Sequence, residues 1–150
     1  MKEYKTNIPE ITLKYKSGDV KKVKITNSHD ANDILRNFYD QDTLELTESF
    51  LVLYLNKANN TIGWFKLSQG GLDACLVDKR LILATALKCG ATSIIVSHNH
   101  PSNNTQPSNA DINQTNKLNE ACKILDMKLL DHIIITESNG FYSFADEGLI

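Results

Sequence analysis

The sequence predicts an α/β fold in which a mixed, partly antiparallel sheet is flanked by helices, and three features indicate it. Apolar runs of strand length interleave with segments of helical periodicity. The unbroken apolar run at residues 50–55 is typical of a strand covered on both faces. Polar turn segments at 56–60 and 138–140 separate neighbouring apolar runs and favour antiparallel pairs. With 150 residues, 41% hydrophobic and 23% charged, the chain is predicted to form one domain spanning 1–150.

The first 43 residues are predicted to form a β-hairpin and a short helix that precede the core. Residues 11–26 alternate apolar and polar side chains around a Ser17-Gly18-Asp19 turn, which indicates a hairpin. Ser28 is a favourable N-cap for the helix. The helix would bury one stripe of apolar side chains, namely Ile34, Leu35 and Phe38.

The rest of the chain carries the same signals of periodicity and turn chemistry. Gly70-Gly71 is predicted to be mobile or tightly turned. The other predicted elements are a strand at 61–67, a helix from Leu81 to near Gly90, a strand at 94–96, a helix from about Ser108 to Met127, and strands at 133–135 and 141–144.

Composition argues against several classes of protein but leaves open a local basic patch that binds nucleic acid. A net charge of -2 and a pI near 6.1 do not favour strong nonspecific DNA binding, which needs many excess cations. The three cysteines, Cys75, Cys89 and Cys122, form no Cys-x-x-Cys pair and are expected to be small buried thiols in a reducing compartment. No apolar run has the ~20 residues that a membrane helix needs, and no signal core follows Met1. We therefore expect a cytoplasmic protein with no membrane partner.

The segment 97–111 concentrates the metal-ligating side chains. His98 and His100 follow a buried strand, and alternate side chains of an extended chain leave one face about 6–7 Å apart. Pro101 ends the strand, and Asp111 lies in the first turn of the next predicted helix. Two imidazoles and one carboxylate leave a fourth position for water, which is the arrangement of a catalytic zinc site.

Each part of this segment also has an interpretation without metal. Ser108-x-x-Asp111 is a helix capping box, and the two histidines are compatible with a polar strand end. The interpretations are compatible, because Ser108 can cap the helix while Asp111 turns its other oxygen outward. The occurrence of all three candidate ligands at one strand-to-helix junction favours the metal site.

The spacing His98-x-His100, seven residues, Ser108, two residues, Asp111 resembles the JAMM (JAB) metalloprotease motif. The wording His-Asn-His-Pro-Ser followed by Pro-Ser-x-x-Asp, and the C-terminal stretches at 130–135 and 142–145, resemble its RadC branch. The resemblance covers roughly residues 44–150 and implies a JAB/MPN-like, cytidine-deaminase-like three-layer arrangement. Asn103 stands where the family usually has glycine, and asparagine tolerates the left-handed backbone that such a position uses.

The resemblance also implies a mechanism. Glu48, before the buried strand, matches the family's upstream glutamate, which acts as general base and then general acid. The residues alone leave Glu48 as an ordinary strand-end acid, with Glu45 as a rival. Ser108 would stabilise the oxyanion. The implied activity is zinc-dependent (Zn²⁺) cleavage of an amide or isopeptide bond in a protein or peptide substrate.

Two other functions remain open: a DNA-repair-associated factor or metal-dependent nuclease, and a non-catalytic binding module. The nuclease is a poor match, because two-metal cleavage of phosphoesters needs more carboxylate ligands than the one present here.

Trp64 is interpreted as core or pocket wall, since no basic residues interleave with it in the sequence. Asn99 is expected to point away from the histidines and to anchor a loop. Asp131-His132 is interpreted as a core hydrogen-bonding pair or as outer support for a metal ligand.

Overall fold

The computed structural model describes residues 9, 11–12, 14–69 and 77–150. In this part of the chain, three helices and five strands follow one another. The helices are α1 (Ser28–Arg36), α2 (Lys79–Cys89) and α3 (Asn109–Ile124), and the strands are β1 (Ser49–Leu55), β2 (Thr61–Gln69), β3 (Ser93–Asn99), β4 (Lys128–Ile135) and β5 (Phe141–Ser143). Within the same residues, no helix combines the length and the apolar composition needed to cross a bilayer.

The five strands form one mixed sheet in the order β2-β1-β3-β4-β5. The β3–β4 pair is parallel, and the other three pairs are antiparallel. Helix α3 forms the crossover between β3 and β4, as a parallel pair requires. The predicted mixed, partly antiparallel sheet is confirmed.

Helices cover both faces of the sheet and so make three layers. On one face, side chains of α2 and α3 such as Ile82 and Leu118 pack against Val52 and Val96. On the other face, Leu35 of α1 packs among residues of β1, β3 and β4. Every residue of β1 is buried, because alternate side chains of this strand enter the two core layers. This explains its unbroken apolar run.

The helix ends agree only in part with those that the sequence predicted. Gly90 ends α2 in the left-handed conformation with φ 69°, which a residue with a Cβ adopts at a cost. Helix α1 begins one residue earlier than predicted, since Asn27 rather than Ser28 is its N-cap and accepts a hydrogen bond from the Asp30 amide. The Ser28 hydroxyl instead donates to Asp146. Helix α3 ends at Ile124 rather than near Met127, because Asp126 takes φ 53° as the chain turns into β4.

The predicted hairpin at 11–26 is wrong for the described residues of that segment. A turn is present at Gly18, with φ 63°, but its two arms do not pair as strands. The second arm pairs instead with the β1–β2 connection, through a bridge between Lys24 and Asn60. Its Ile25 side chain is buried against the α1 side of the sheet, and this burial competes with the local pairing that alternation predicted. Residues 10 and 13 lie outside the described residues.

Two further predictions concern the cysteines and the Gly70-Gly71 segment. Cys122 is a buried free thiol, as expected, and burial raises its pKa to about 11. Cys89 is a half-buried free thiol. Cys75 and the Gly70-Gly71 segment lie outside the described residues.

Candidate metal centre

Three potential metal ligands converge where β3 meets α3. His98 lies near the end of β3, on the face that α3 covers, and His100 follows the strand. Asp111 lies in the first turn of α3. Each of the three side chains offers one ligand atom, a histidine nitrogen or a carboxylate oxygen, and these three atoms lie within 4.8 Å of one another. The convergence that the sequence pattern indicated is therefore present in the structure.

The distances between the candidate ligand atoms are close to those around a tetrahedrally coordinated cation. The Nε2 atoms of His98 and His100 lie 2.9 Å apart. Asp111 places Oδ1 3.3 Å from His98 Nε2 and Oδ2 3.5 Å from His100 Nε2. An ion with ligand bonds of about 2.0–2.1 Å in tetrahedral geometry separates its ligand atoms by about 3.3 Å. Nitrogen and carboxylate donors are those that zinc accepts, so the residues present fit a bound zinc ion.

His100 is oriented by the loop that follows it. Its Nδ1 lies 2.6 Å from the Asn104 carbonyl oxygen, and since a carbonyl only accepts, Nδ1 carries the hydrogen. Neutral His100 therefore presents an unprotonated Nε2 to the site. Burial opposes protonation of His100, but hydrogen bonds to Asp111 and Asn104 and the charges of Asp111 and Glu48 outweigh it and raise its pKa.

Asp111 caps α3 and faces the histidines at the same time. Its Oδ2 accepts hydrogen bonds from the Ser108 amide, at 2.7 Å, and from the Ser108 hydroxyl, at 2.8 Å, while Ser108 Oγ accepts from the Asp111 amide. The capping box and the candidate ligand set thus coexist. Burial disfavours the charged form of Asp111, but the hydrogen bonds that His100 and His98 donate to it whenever their Nε2 atoms carry a hydrogen prevail and hold the pKa of its carboxyl well below the usual range.

A cavity of about 270 Å³ opens beside these side chains. It is lined by the three candidate ligands, by Glu48 and Ser108, and by an apolar wall that includes Phe50 and Leu118. The structure thus brings together all five residues that the sequence singled out, which are Glu48, His98, His100, Ser108 and Asp111. Glu45, the rival acid, is exposed and accepts a hydrogen bond from Asn103 instead.

Asn99 anchors the segment that carries Glu48. It lies between the two histidines in sequence but points to the opposite face of the sheet, as alternation along a strand requires. Its amide nitrogen donates to the carbonyls of Leu44 and Thr47, at 2.7 and 2.9 Å, and its oxygen accepts from the Ser49 amide at 2.7 Å. The predicted anchoring role of Asn99 is confirmed, and its partner is the chain next to Glu48.

Asn103, in the loop after His100, takes the left-handed backbone conformation that the sequence predicted at this position. Asn103 has φ 61°, the left-handed conformation that asparagine tolerates. Its side chain joins two neighbouring segments, since it donates to Glu45 and accepts from the Glu137 amide.

Sequence reasoning left His132 open and missed Thr115. The His132 ring is buried, with Nε2 2.7 Å from His98 Nδ1 and Nδ1 2.6 Å from Thr115 Oγ1. Burial lowers the pKa of His132 well below its usual range, and the charge of His98 adds to the effect. The Asp111-to-Thr115 spacing of four residues, which places both on one helix face, was the available signal for Thr115.

Trp64 is not a core residue but lines two surface grooves, which agrees with the pocket-wall half of its interpretation. Its side chain is 47% exposed and stacks on Phe38, with ring centroids 4.5 Å apart. Lys21 and Lys22 line one of the two grooves that Trp64 borders, and Lys14 and Lys88 line the other. These four lysines come from parts of the chain that are distant from Trp64 in sequence.

Comparison with known proteins identifies the chain's relatives. A family model described as RadC-like JAB domain matches residues 25–149. A UPF0758 protein of Flavobacterium johnsoniae is 44% identical over 142 residues, which are 93% of this chain and 60% of the relative. A UPF0758 protein of Aquifex aeolicus is 34% identical over 141 residues, covering 94% of this chain and 58% of the relative. The chain therefore spans about 60% of the length of these relatives. On the strength of the match over residues 25–149 and of these identities, the chain belongs to the RadC-like JAB domain family.

Proposed function

We propose that this chain is a zinc-dependent hydrolase that cleaves an amide or isopeptide bond in a protein or peptide. The observation that carries the proposal is the convergence of His98, His100 and Asp111 at a cavity that Glu48 also lines. Three protein ligands leave one tetrahedral position open, which distinguishes catalytic zinc sites from structural ones. Held by these three side chains, zinc supplies a Lewis acid that lowers the pKa of a water molecule and polarises a carbonyl group.

Glu48 is proposed as the group that moves protons. Its carboxylate would accept a proton from the attacking water and then deliver it to the leaving amine. The electrostatic coupling of Glu48 to His100 supports its placement near the candidate ligands. The Asn99 hydrogen bonds to the adjoining backbone would hold Glu48 in position.

Ser108 is proposed to stabilise the oxyanion. Its Oγ lines the cavity beside Asp111. The hydroxyl hydrogen points to Asp111 Oδ2 in this structure, so this role requires the hydroxyl to rotate from the carboxylate towards the substrate oxygen. That rotation leaves the Ser108 amide to hold Asp111 Oδ2.

Family membership supports the class of bond that is cleaved, and the cavity supports the kind of side chain that lies next to it. The apolar wall that includes Phe50, Val96 and Leu118 favours an apolar residue adjacent to the scissile bond. The chain spans about 60% of its relatives' length. The protein or peptide substrate is therefore part of our proposal and does not follow from family membership.

The test compares the unsubstituted protein with Glu48→Gln and Asp111→Ala after loading with zinc. Each is incubated with a peptide library made by digesting a cell lysate, and new peptide termini are counted by mass spectrometry. We expect cleavage by the unsubstituted protein, a loss of about 100-fold or more with Glu48→Gln, and retention of one zinc per chain by that variant. Asp111→Ala should lose both zinc and cleavage.

Two results would contradict the proposal in different ways. Cleavage by Glu48→Gln at the unsubstituted rate would reject Glu48 as the proton-transfer group. Bound zinc without any cleavage by the unsubstituted protein would favour a non-catalytic binding module.

Nucleic-acid binding is a second candidate, and the surface around Trp64 supports it. An exposed aromatic ring flanked by lysines is the arrangement on which single-stranded bases stack. Fluorescence anisotropy with a single-stranded oligonucleotide should then show binding that falls steeply with added salt. Trp64→Ala should weaken it about 10-fold. No binding at low salt would reject this candidate.

A further inference from the structure

A row of buried hydrogen bonds runs behind His98 and connects two of the candidate metal ligands. His98 Nδ1 lies 2.7 Å from His132 Nε2, and His132 Nδ1 lies 2.6 Å from Thr115 Oγ1. Thr115 Oγ1 lies 2.6 Å from the backbone carbonyl oxygen of Asp111. His98, His132 and Thr115 are each at most 2% exposed, so water does not compete for these bonds.

The donor and acceptor of each bond follow from the carbonyl at the end of the row. The Asp111 carbonyl only accepts, so the single Thr115 hydroxyl hydrogen is directed to it. The Thr115 oxygen then accepts from His132 Nδ1–H, and a neutral His132 is left with an unprotonated Nε2. That atom accepts from His98 Nδ1–H, which leaves the lone pair of His98 Nε2 directed at Asp111 and His100.

The reverse direction is incompatible with a metal ligand. If Thr115 donated to His132 Nδ1, His132 would carry its hydrogen on Nε2 and donate to His98 Nδ1. His98 would then be protonated on Nε2, the atom that faces the site, and a protonated nitrogen has no lone pair for a cation. The direction of the row therefore determines whether His98 can bind metal.

Aromatic packing holds the His132 ring in place. Phe144 stacks on it with ring centroids 4.6 Å apart and an interplanar angle of 14°, and Phe50 meets it edge to face at 5.8 Å. Phe144 is completely buried. A ring held between these two side chains keeps both of its nitrogens aligned with His98 and Thr115.

We propose that Thr115, acting through His132, fixes His98 in the tautomer whose Nε2 is free to bind the metal ion, and that Thr115 is thereby a positioning residue for metal affinity. The inference rests on the metal site of the proposed function but not on catalysis. Outer hydrogen bonds of this kind orient metal-binding histidines and select their tautomer.

The experiment measures zinc affinity in competition with a chromophoric chelator, without substrate. Thr115→Val preserves side-chain shape but removes the hydroxyl, and we expect it to weaken zinc binding about 10- to 100-fold. Thr115→Ser retains the hydroxyl and should restore affinity to within a few-fold. Thr136→Val is the matched control, because Thr136 is also buried but bonds to Gly140 in the β4–β5 turn.

A second readout reports the tautomer directly. Long-range ¹H–¹⁵N correlation spectra of the zinc-free protein at neutral pH should show His98 protonated on Nδ1, and Thr115→Val should move the hydrogen to Nε2. Equal zinc affinity of Thr115→Val and the unsubstituted protein would overturn this inference alone, as would a loss of affinity with Thr136→Val as large as that with Thr115→Val. His98 protonated on Nε2 in the unsubstituted zinc-free protein would also overturn it. Failure of the unsubstituted protein to bind zinc would overturn the proposed function together with it.

Discussion

At the scale of single residues, the three consecutive residues 98–100 at the end of β3 have different roles. His98 and His100 turn towards α3 and Asp111, whereas Asn99 between them turns to the other face. Asn99 makes three hydrogen bonds to backbone groups of residues 44–49. The alternation of a strand therefore lets three consecutive residues supply two candidate ligands and also anchor the segment that carries Glu48.

Asn99→Ala should destabilise the protein and displace Glu48 without removing the ligands. A buried carbonyl, a half-buried carbonyl and a buried amide would lose their hydrogen bonds to Asn99, which costs about 2–4 kcal/mol of unfolding free energy. Urea unfolding measures the stability, and zinc titration should show an affinity within a few-fold of the unsubstituted protein. Asn116→Ala, at an exposed position of α3, is the control and should change stability by less than about 0.5 kcal/mol. An unfolding free energy unchanged by Asn99→Ala would contradict the anchoring role.

At the scale of elements, one arginine joins α1 to the far end of the sheet. Arg36, in the last turn of α1, donates to the carbonyl oxygens of Thr136 and Gly140, each at 2.8 Å, and to Asn32 at 3.0 Å. The first two groups belong to the turn between β4 and β5. The guanidinium thus bridges elements about 100 residues apart in sequence, and its planar fork of donors suits two neighbouring carbonyls.

Arg36→Lys should show how much this fork contributes. Lysine keeps the charge but cannot reach both carbonyls and Asn32 together, so we expect a loss of about 1–2 kcal/mol, and about 2–3 kcal/mol with Arg36→Ala. Unfolding in guanidinium chloride measures the free energy of unfolding of both variants. Arg80→Ala, which removes only an exposed ion pair with Asp78, should have little effect. Equal stability of Arg36→Lys and the unsubstituted protein would show that charge alone suffices.

At the scale of the whole molecule, the candidate metal centre exists only in the folded chain. Its ligands come from β3, from the loop after it and from α3, and nothing holds them together in the unfolded ensemble. A cation that binds only the native state stabilises that state by mass action. Metal binding should therefore raise the melting temperature of the protein.

Zinc at 100 times its dissociation constant should raise the melting temperature by about 5–10 °C, since the linkage free energy is about 2.7 kcal/mol. Differential scanning calorimetry measures the shift, and a chelator should reverse it. Asp111→Ala should abolish the zinc-dependent shift, whereas Glu120→Ala on the exposed face of the same helix should preserve it. An identical shift in Asp111→Ala would mean that zinc binds elsewhere.

The elements that the sequence predicted well are those whose signals are local. The 50–55 run, Gly90 and the 138–140 turn each specify a strand, a helix end or a hairpin through periodicity or backbone preference, and the structure contains all three. The His-x-His and Ser-x-x-Asp spacings likewise place ligands on one strand end and one helix start. The hairpin at 11–26 failed for the opposite reason, because its second arm finds a better partner in the distant β1–β2 connection.

The sequence by itself determined the strand of residues 50–55, the Gly90 end of α2, the Ser108 cap of α3 and the residues able to bind a metal, because each depends on a local pattern of side chains. Only the tertiary structure decided that His132 and Thr115 stand behind His98, that Glu48 rather than Glu45 lines the cavity, and that distant lysines flank Trp64. These contacts join residues from separate elements, and their partners are selected by how the layers pack, which no local pattern encodes.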